Sequence, residues 1–283
     1  MLGRCRRRVL VCDTAEPRNR WSLAVHGFLT RDGTSPATLL HTARQELQRY
    51  DTVELRSARV VDAVRDGRGF TVTCADGSTI RSRKLLLATG VVDEVPDIPG
   101  LALFYGRSVH HCPYCDAWEW RDQPVGVYGR GDAAAGLALA LTVWTGDLVL
   151  CTDGPVSHSD SMGERLEAAG IAVREEQVVR LEGEDGQLER IVFADGEPET
   201  RRALFFVTGQ RQASELPGRL GCRFLENGSV DTGKCEATNV PGLYVCGDAS
   251  RDAQFVVVAA AEGAEAAMAI NKALLEEGPL GGS

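Results

Sequence analysis

The sequence predicts an α/β fold built from two related units, and three observations carry that reading. Short apolar runs alternate with helical patterns along the chain. A segment recurs: "FTVTCADGSTIRSRKLLLATG", ending at Gly90, and "RIVFADGEPETRRALFFVTG", ending at Gly209, share an Ala-Asp-Gly turn, a polar stretch and an apolar strand closing in Thr-Gly. Thirteen residues separate Asp76 from Thr89, and thirteen separate Asp195 from Thr208. The third observation is a glycine-rich turn between a strand and a helix.

That turn opens the second copy. "PVGVYGRGDAAAGLALALTVW" reads as a strand over 124–128, a turn, and a helix to about Trp144, with the next strand at 147–153. The turn carries Gly129, Gly131 and Ala134 in the spacing of a dinucleotide-binding unit. There the first glycine makes the tight turn, the second lets backbone approach a pyrophosphate, and a small third residue lets helix pack on strand. The helix N-terminus then faces the phosphates. The expected units are therefore Rossmann-like and three-layered.

The first copy aligns through "VLVCD", with Cys12 matching Cys151. Gly129 lies 22 residues before Cys151, and the same step back from Cys12 falls ahead of Met1. The first strand and glycine loop of the first copy are thus expected to be missing, by N-terminal truncation or a misplaced start. The chain is expected to begin inside the first helix, at "LGRCRRR". Downstream, "SPATLLHTARQELQRY" (35–50) reads as a helix with Ser35 as N-cap and Pro36 at its first position. The segments "PDIPGL" and "ELPGRL" follow the two copies in turn. A C-terminal block begins with a strand over 242–246 and a Gly247-Asp248 turn. A long small-residue helix follows, from about Gln254 to Leu275.

The chain carries a net charge of −9, which offers no positive field to draw in nucleic acid or anionic membranes. The apolar run at 254–270 is broken by Glu262 and Glu265 and is not read as a membrane span. No export signal is legible, so the expected compartment is the cytoplasm. Nine cysteines, an odd number, argue against a disulfide framework. Cys12, Cys74, Cys151 and Cys246 sit in apolar runs, where a cysteine behaves as a small hydrophobe.

Cys112 and Cys115 stand apart, in "HHCPYCDAWEW". A proline and a helix start after the first cysteine favour its thiolate, and such a pair exchanges through mixed disulfides. Asp116 is then a candidate acid for a leaving thiolate. Two other readings stand beside the redox one. A zinc site would need further ligands from Cys222, Cys235, His110 or His111, in poor spacing. An inert pair would do nothing. No metal site is expected, the two histidines are expected in a loop, and Trp118 and Trp120 are expected to pack.

Taken in order, "VLVCD", "LLLATG", "HCPYCD", "VYGRGDAAA" and "GLYVCGDAS" resemble the low-molecular-weight thioredoxin reductase family of flavoproteins, over essentially the whole chain. "EPRN", "HGFLTRDG" and "CPYCDAWE" look like its bacterial thioredoxin reductase-like branch, related to dithiol oxidases that close disulfides in natural products. The resemblance implies a second unit inserted into the first: residues 1–107 and 215–283 as an FAD domain, and 108–214 as a pyridine-nucleotide-type domain carrying the cysteine pair. It implies that Asp13 holds the adenosine ribose, that Thr89 and Gly90 line the flavin nucleotide, and that Gly247 and Asp248 contact its ribityl and pyrophosphate region. It implies that Cys115 faces the flavin and Cys112 the substrate disulfide, with a homodimer as the assembly.

The sequence departs from that family at three places. The FAD pyrophosphate loop is absent, which argues against tight FAD binding. After "LVLCT" comes "DGPVSHSD", with no arginine cluster and with Asp153, which would repel a 2′-phosphate. That weighs against NADPH and leaves NADH or another donor. The final helix opens with Gln254-Phe255-Val256 in place of the family's Arg-Gln-Ala. The expected function is a thioredoxin reductase-like, flavin-dependent thiol/disulfide oxidoreductase. It acts on a small redox protein such as thioredoxin, or on a small-molecule disulfide or dithiol. The alternatives are an oxygen-using dithiol oxidase and a cofactor-poor remnant without activity.

Overall fold

The computed structural model describes residues 1–67 and 69–278. Strand β1 (Val9–Asp13) runs into a 3₁₀ turn (Arg18–Trp21) and helix α1 (Pro36–Leu47), then returns as β2 (Val53–Ser57), parallel to β1. Ser35 caps α1 as expected, its Oγ accepting from Thr38 N at 3.2 Å, with Pro36 where no N–H is needed. The antiparallel strands β3 (Val60–Asp66), β4 (Gly69–Cys74) and β5 (Thr79–Ser82) follow. The β4–β5 turn is built by Asp76, whose Oδ1 accepts from Ser78 N, and by Gly77 at φ +81°. Two short strands, β6 (Leu85–Leu87) and β7 (Val91–Glu94), complete this half.

Helix α2 (Leu101–Phe104), strand β8 (Val109–His110) and helix α3 (Pro113–Asp116) lead into β9 (Val125–Tyr128), α4 (Gly131–Leu141), β10 (Leu148–Cys151), α5 (Asp160–Ala168) and β11 (Ala172–Arg174). Then come the antiparallel strands β12 (Val178–Glu184), β13 (Gln187–Phe193) and β14 (Glu199–Thr200), and β15 (Ala203–Phe206). One parallel sheet forms, in the order β11-β10-β9-β15-β8. Every residue of β10 and β15 is buried, as a sheet covered on both faces requires. On one face Val149, Cys151, Leu204 and Phe206 meet Leu181, Leu188 and Ile191 of the antiparallel strands. On the other, Val127, Leu150 and Phe205 meet Ala135, Ala138 and Leu141 of α4 and Leu166 of α5. These are the three expected layers.

The chain then crosses back. Strand β16 (Gly209–Gln212) pairs antiparallel with β7, helix α6 (Leu216–Arg219) follows, and β17 (Leu243–Val245) pairs parallel with β6. Helix α7 (Val256–Glu276) ends the described chain. Segments before and after the second repeat thus share sheets, while the second repeat keeps its own.

The two copies correspond strand by strand, with one difference. In the second, β9 stands between β10 and β15. In the first, among the described residues, β1 pairs only with β2 and β6 only with β17, and no strand joins the two pairs. The apolar run "VLVCD" consequently has no buried residue, although "LVLC" in β10 is buried throughout.

Several expected elements shift. Residues 2–6 form hydrogen-bonded turns, not helix, and Arg6 stands at φ +56°. Helix α4 ends at Leu141 and α7 begins at Val256. His110 belongs to strand β8 instead of a loop, because its backbone pairs beside Phe205 in β15.

Candidate active site

Cys112 and Cys115 form a disulfide (Sγ–Sγ 2.06 Å, Cα–Cα 5.3 Å), and the seven other cysteines are free. Strand β8, at the edge of the parallel sheet, delivers the pair to the surface. Cys112 is the N-cap of α3 and Pro113 its first residue. Both cysteines are half-buried, while Tyr114 (75% exposed) and Trp118 (63%) stand open beside them. The expectation that both tryptophans pack therefore fails for Trp118, which stacks only under the Arg121 guanidinium, 4.5 Å from its ring.

The two histidines face different networks. His111 Nε2 lies 3.3 Å from Arg18 Nη2, and its Nδ1 lies 3.3 Å from Tyr105 Oη. A guanidinium only donates, so Nε2 carries the lone pair and Nδ1 the proton. Burial pulls the His111 pKa down, with Arg18 adding to it, which agrees with a neutral ring. Tyr105 in turn donates to Asp93 Oδ2 at 3.4 Å, and burial holds its phenol protonated, far above the usual range. Arg18 closes the network through Nε to Asp93 (2.8 Å) and Nη1 to Asp248 (2.9 Å) and Gln254 (2.6 Å). Burial pushes Asp93 up, but the bonds and charge of Arg18 bring it to a net position below the ordinary carboxylate value.

His110 is turned the other way. Trp120 Nε1 donates to its Nε2 at 3.1 Å, and its Nδ1 stands 3.4 Å from Asp116 Oδ2.

The glycine turn has the geometry its spacing implies. Gly129 sits at φ +150°, and a Cβ there would lie 3.1 Å from the Ala134 Cβ and 3.3 Å from Val207 Cγ2. Gly131, at φ +67°, opens α4, and Ala134 is fully buried against the sheet. One expectation changes here. Asp153 is not an unopposed carboxylate: Arg130, from the glycine turn itself, bonds the Asp153 carbonyl and approaches its Oδ2 to 3.6 Å. Val178 N donates to the other oxygen at 2.8 Å.

A family model described as pyridine nucleotide-disulphide oxidoreductase matches residues 3–263. The chain belongs to that family. Thioredoxin reductase tcpT of Claviceps purpurea is 30% identical over 253 residues, covering 84% of this chain and 78% of that protein. Among solved structures, HlmI matches with a TM-score of 0.93 at 36% identity, covering 98% of this chain and 87% of that one. An oxidoreductase from Agrobacterium tumefaciens matches with a TM-score of 0.90 at 32% identity, covering 97% and 92%. This chain is accordingly a thioredoxin reductase-like oxidoreductase.

Pyridine nucleotide-disulphide oxidoreductases use FAD and a nicotinamide nucleotide, and the residues present fit the nicotinamide nucleotide and part of a flavin site. Gly129, Gly131 and Ala134 leave the α4 N-terminus open to a pyrophosphate. Thr89 Oγ1 is buried with no partner, and Gly90 (φ +68°) has open space where a side chain would stand. An unpartnered buried hydroxyl beside an open glycine suits a polar ligand group. Asp13 ends β1 beside an open cleft of about 250 Å³ lined by Ala15, Pro17, Ser35, Leu40 and Arg44. It accepts from Ala15 N and Arg44; burial pushes its pKa up, and these two bonds bring the net below the ordinary value. Gly247 N donates to Glu262, and Asp248 meets Arg18. The first copy's pyrophosphate cradle has no counterpart among the described residues.

The structure thus brings together Cys112, Cys115, Asp116 and, through Arg18 and His111, Asp248. Asp13 and the Gly129–Ala134 turn stand in different elements. Sequence reasoning missed Arg18, Asp93 and Tyr105. Arg18 lies in the "EPRN" stretch that carried the resemblance, but its partners come from β7, the residue after β8 and the C-terminal block, which no local pattern connects.

Proposed function

We propose that this chain is a flavin-dependent thiol/disulfide oxidoreductase that moves two electrons between a nicotinamide or other donor and an external disulfide, by way of FAD and the Cys112–Cys115 pair. The observation that carries the reading is that pair, half-buried and edged by exposed Tyr114 and Trp118. The partner is a small redox protein or a small-molecule disulfide or dithiol. The working division is a flavin part over 1–107 and 215–283 and a nicotinamide-type part over 108–214, in a cytoplasmic homodimer.

In the reduced chain the Cys112 thiolate attacks one sulfur of the external disulfide, and that bond breaks onto its second sulfur. Asp116 supplies the proton this leaving sulfur takes up. Cys115 then gives its proton to the emptied Asp116 carboxylate and attacks Cys112 Sγ, which re-forms the Cys112–Cys115 bond and releases the other external sulfur as thiolate. The cysteine pair thereby gives up two electrons and one proton, and Asp116 ends protonated as it began. When bound near Thr89, Gly90 and Asp248, FAD supplies the two-electron redox chemistry that restores the dithiol. Gly129, Gly131 and Ala134 would hold the nicotinamide nucleotide.

A second reading runs the exchange backwards, as a dithiol oxidase with oxygen as final acceptor. The segment after β10, with Asp153 and no arginine up to Asp160, favours it. Visible spectra of the purified chain with added FAD, titrated in turn with NADH, NADPH and dithiothreitol, separate the readings. Bleaching by a nicotinamide, with turnover of an aromatic disulfide, supports the reductase. Bleaching by dithiothreitol alone, with oxygen uptake, supports the oxidase. A chain that stays colourless and exchanges no thiols overturns both.

A further inference from the structure

We infer that His110 is a positioning residue for Asp116, held in one tautomer by Trp120; this rests on the reading of Asp116 as the proton-transfer group of the cysteine pair. His110 is only 5% exposed, pressed against Phe205 at 5.3 Å between ring centroids. An indole N–H can only donate, so the Trp120 contact at 3.1 Å requires the lone pair on His110 Nε2. In the neutral ring the proton then resides on Nδ1, which faces Asp116 Oδ2 at 3.4 Å. Trp120 ends the 3₁₀ turn Ala117–Trp120, which follows α3 directly, and its indole reaches His110 of β8. The element carrying the disulfide thus brings its own brace. Asp116 Oδ2 lies within ionic-contact distance of His110 Nδ1, and no described residue hydrogen-bonds either carboxylate oxygen, so Oδ1 stays open to a thiol proton. His110 bonds neither cysteine and acts through Asp116.

The test follows reduction of the Cys112–Cys115 disulfide by dithiothreitol in the full chain, counting alkylated thiols against time. In this exchange the reagent loses two electrons and two protons and the protein disulfide gains them. His110→Phe is expected to slow the exchange about tenfold, a part of the ~10²–10⁴ that a positioned acid or base contributes. His110→Asn, which keeps a donor near the Nδ1 position, is expected to recover most of the rate. Trp120→Phe, which releases the tautomer, is expected to fall between. The His110→Phe/Asp116→Asn double variant is expected to be no slower than Asp116→Asn alone, since both changes break one pathway. An Asn variant as slow as the Phe variant, or additive losses in the double, overturns the role of His110 while Asp116 stands. An Asp116→Asn variant with the parent rate removes Asp116 from the mechanism, and this proposal with it. Asn at 110 and Phe at 120 are mild changes, so the comparison survives if His110→Phe fails to fold.

Discussion

Arg18 is the hub of one cluster of buried charge. Its guanidinium meets Asp93, Asp248, Gln254 and His111, and its side chain is 17% exposed. Removing one partner of a buried pair leaves the other charge without compensation. Arg18→Met is therefore expected to destabilise by about 3 kcal/mol, with Asp93 and Asp248 left facing each other's elements unpaired. Urea unfolding of the two proteins side by side measures it. His111 adds a pH dependence with a definite sign. Its folded pKa lies below the ordinary histidine value of 6.5, so the unfolded chain binds the proton more readily. The group's contribution is whole above pH 6.5 and is lost as pH falls from there through the folded pKa. The melting temperature is expected to drop between pH 7 and pH 5, and His111→Gln is expected to flatten that drop; equal slopes in both proteins would refute the assignment. The slope from one such group is at most about 1.4 kcal/mol per pH unit.

At the scale of elements, the glycine turn and the α4 helix are one packing unit. A side chain at Gly129 meets the Ala134 Cβ and Val207 within about van der Waals contact, at a φ that L-residues rarely adopt. Gly129→Val should therefore lower stability by ~1–3 kcal/mol, the usual range for overpacking, and weaken NADH binding measured by tryptophan quenching. A variant that binds NADH as tightly as the parent would mean the turn is not the nucleotide cradle. Helix α1 is simpler: Ser35→Ala removes its cap and should cost about 1 kcal/mol in urea unfolding. These elements were legible in the sequence because their causes are local. A cap, a turn glycine and a 3.6-residue apolar period each act within a few positions. The cysteine pair was legible for the same reason. The Arg18 network was not, since Arg18, Asp93, His111 and Asp248 meet only after four separate segments have packed. The Arg130–Asp153 contact escaped for a related reason: 23 residues separate the partners, across a whole helix and strand.

At the scale of the molecule, the internal repeat was readable and its unequal packing was only half so. In the second copy β9 joins β10 to β15, whereas among the described residues the pairs β1-β2 and β6-β17 of the first copy stand apart. The helix expected at 2–8 did not follow, because helix stability comes mostly from packing an apolar face, and "LGRCRRR" offers little of one. The consequence for dynamics is open to measurement. Strands β1 and β10 have nearly the same apolar sequence, so propensity alone would protect them equally. Packing separates them: β10 is paired on both sides and wholly buried, whereas among the described residues β1 pairs only with β2 and has no buried residue. Amide protection follows the local opening free energy, which falls where buried apolar contact is sparse. Amides of Val9–Asp13 are therefore expected to exchange at least about 10²-fold faster than those of Leu148–Cys151, a difference of roughly 3 kcal/mol in opening. Native-state hydrogen exchange resolved by peptide mass reads both strands in one experiment. Equal protection in the two would mean that β1 is covered by something other than β2, and the unequal packing of the two copies would have to be abandoned.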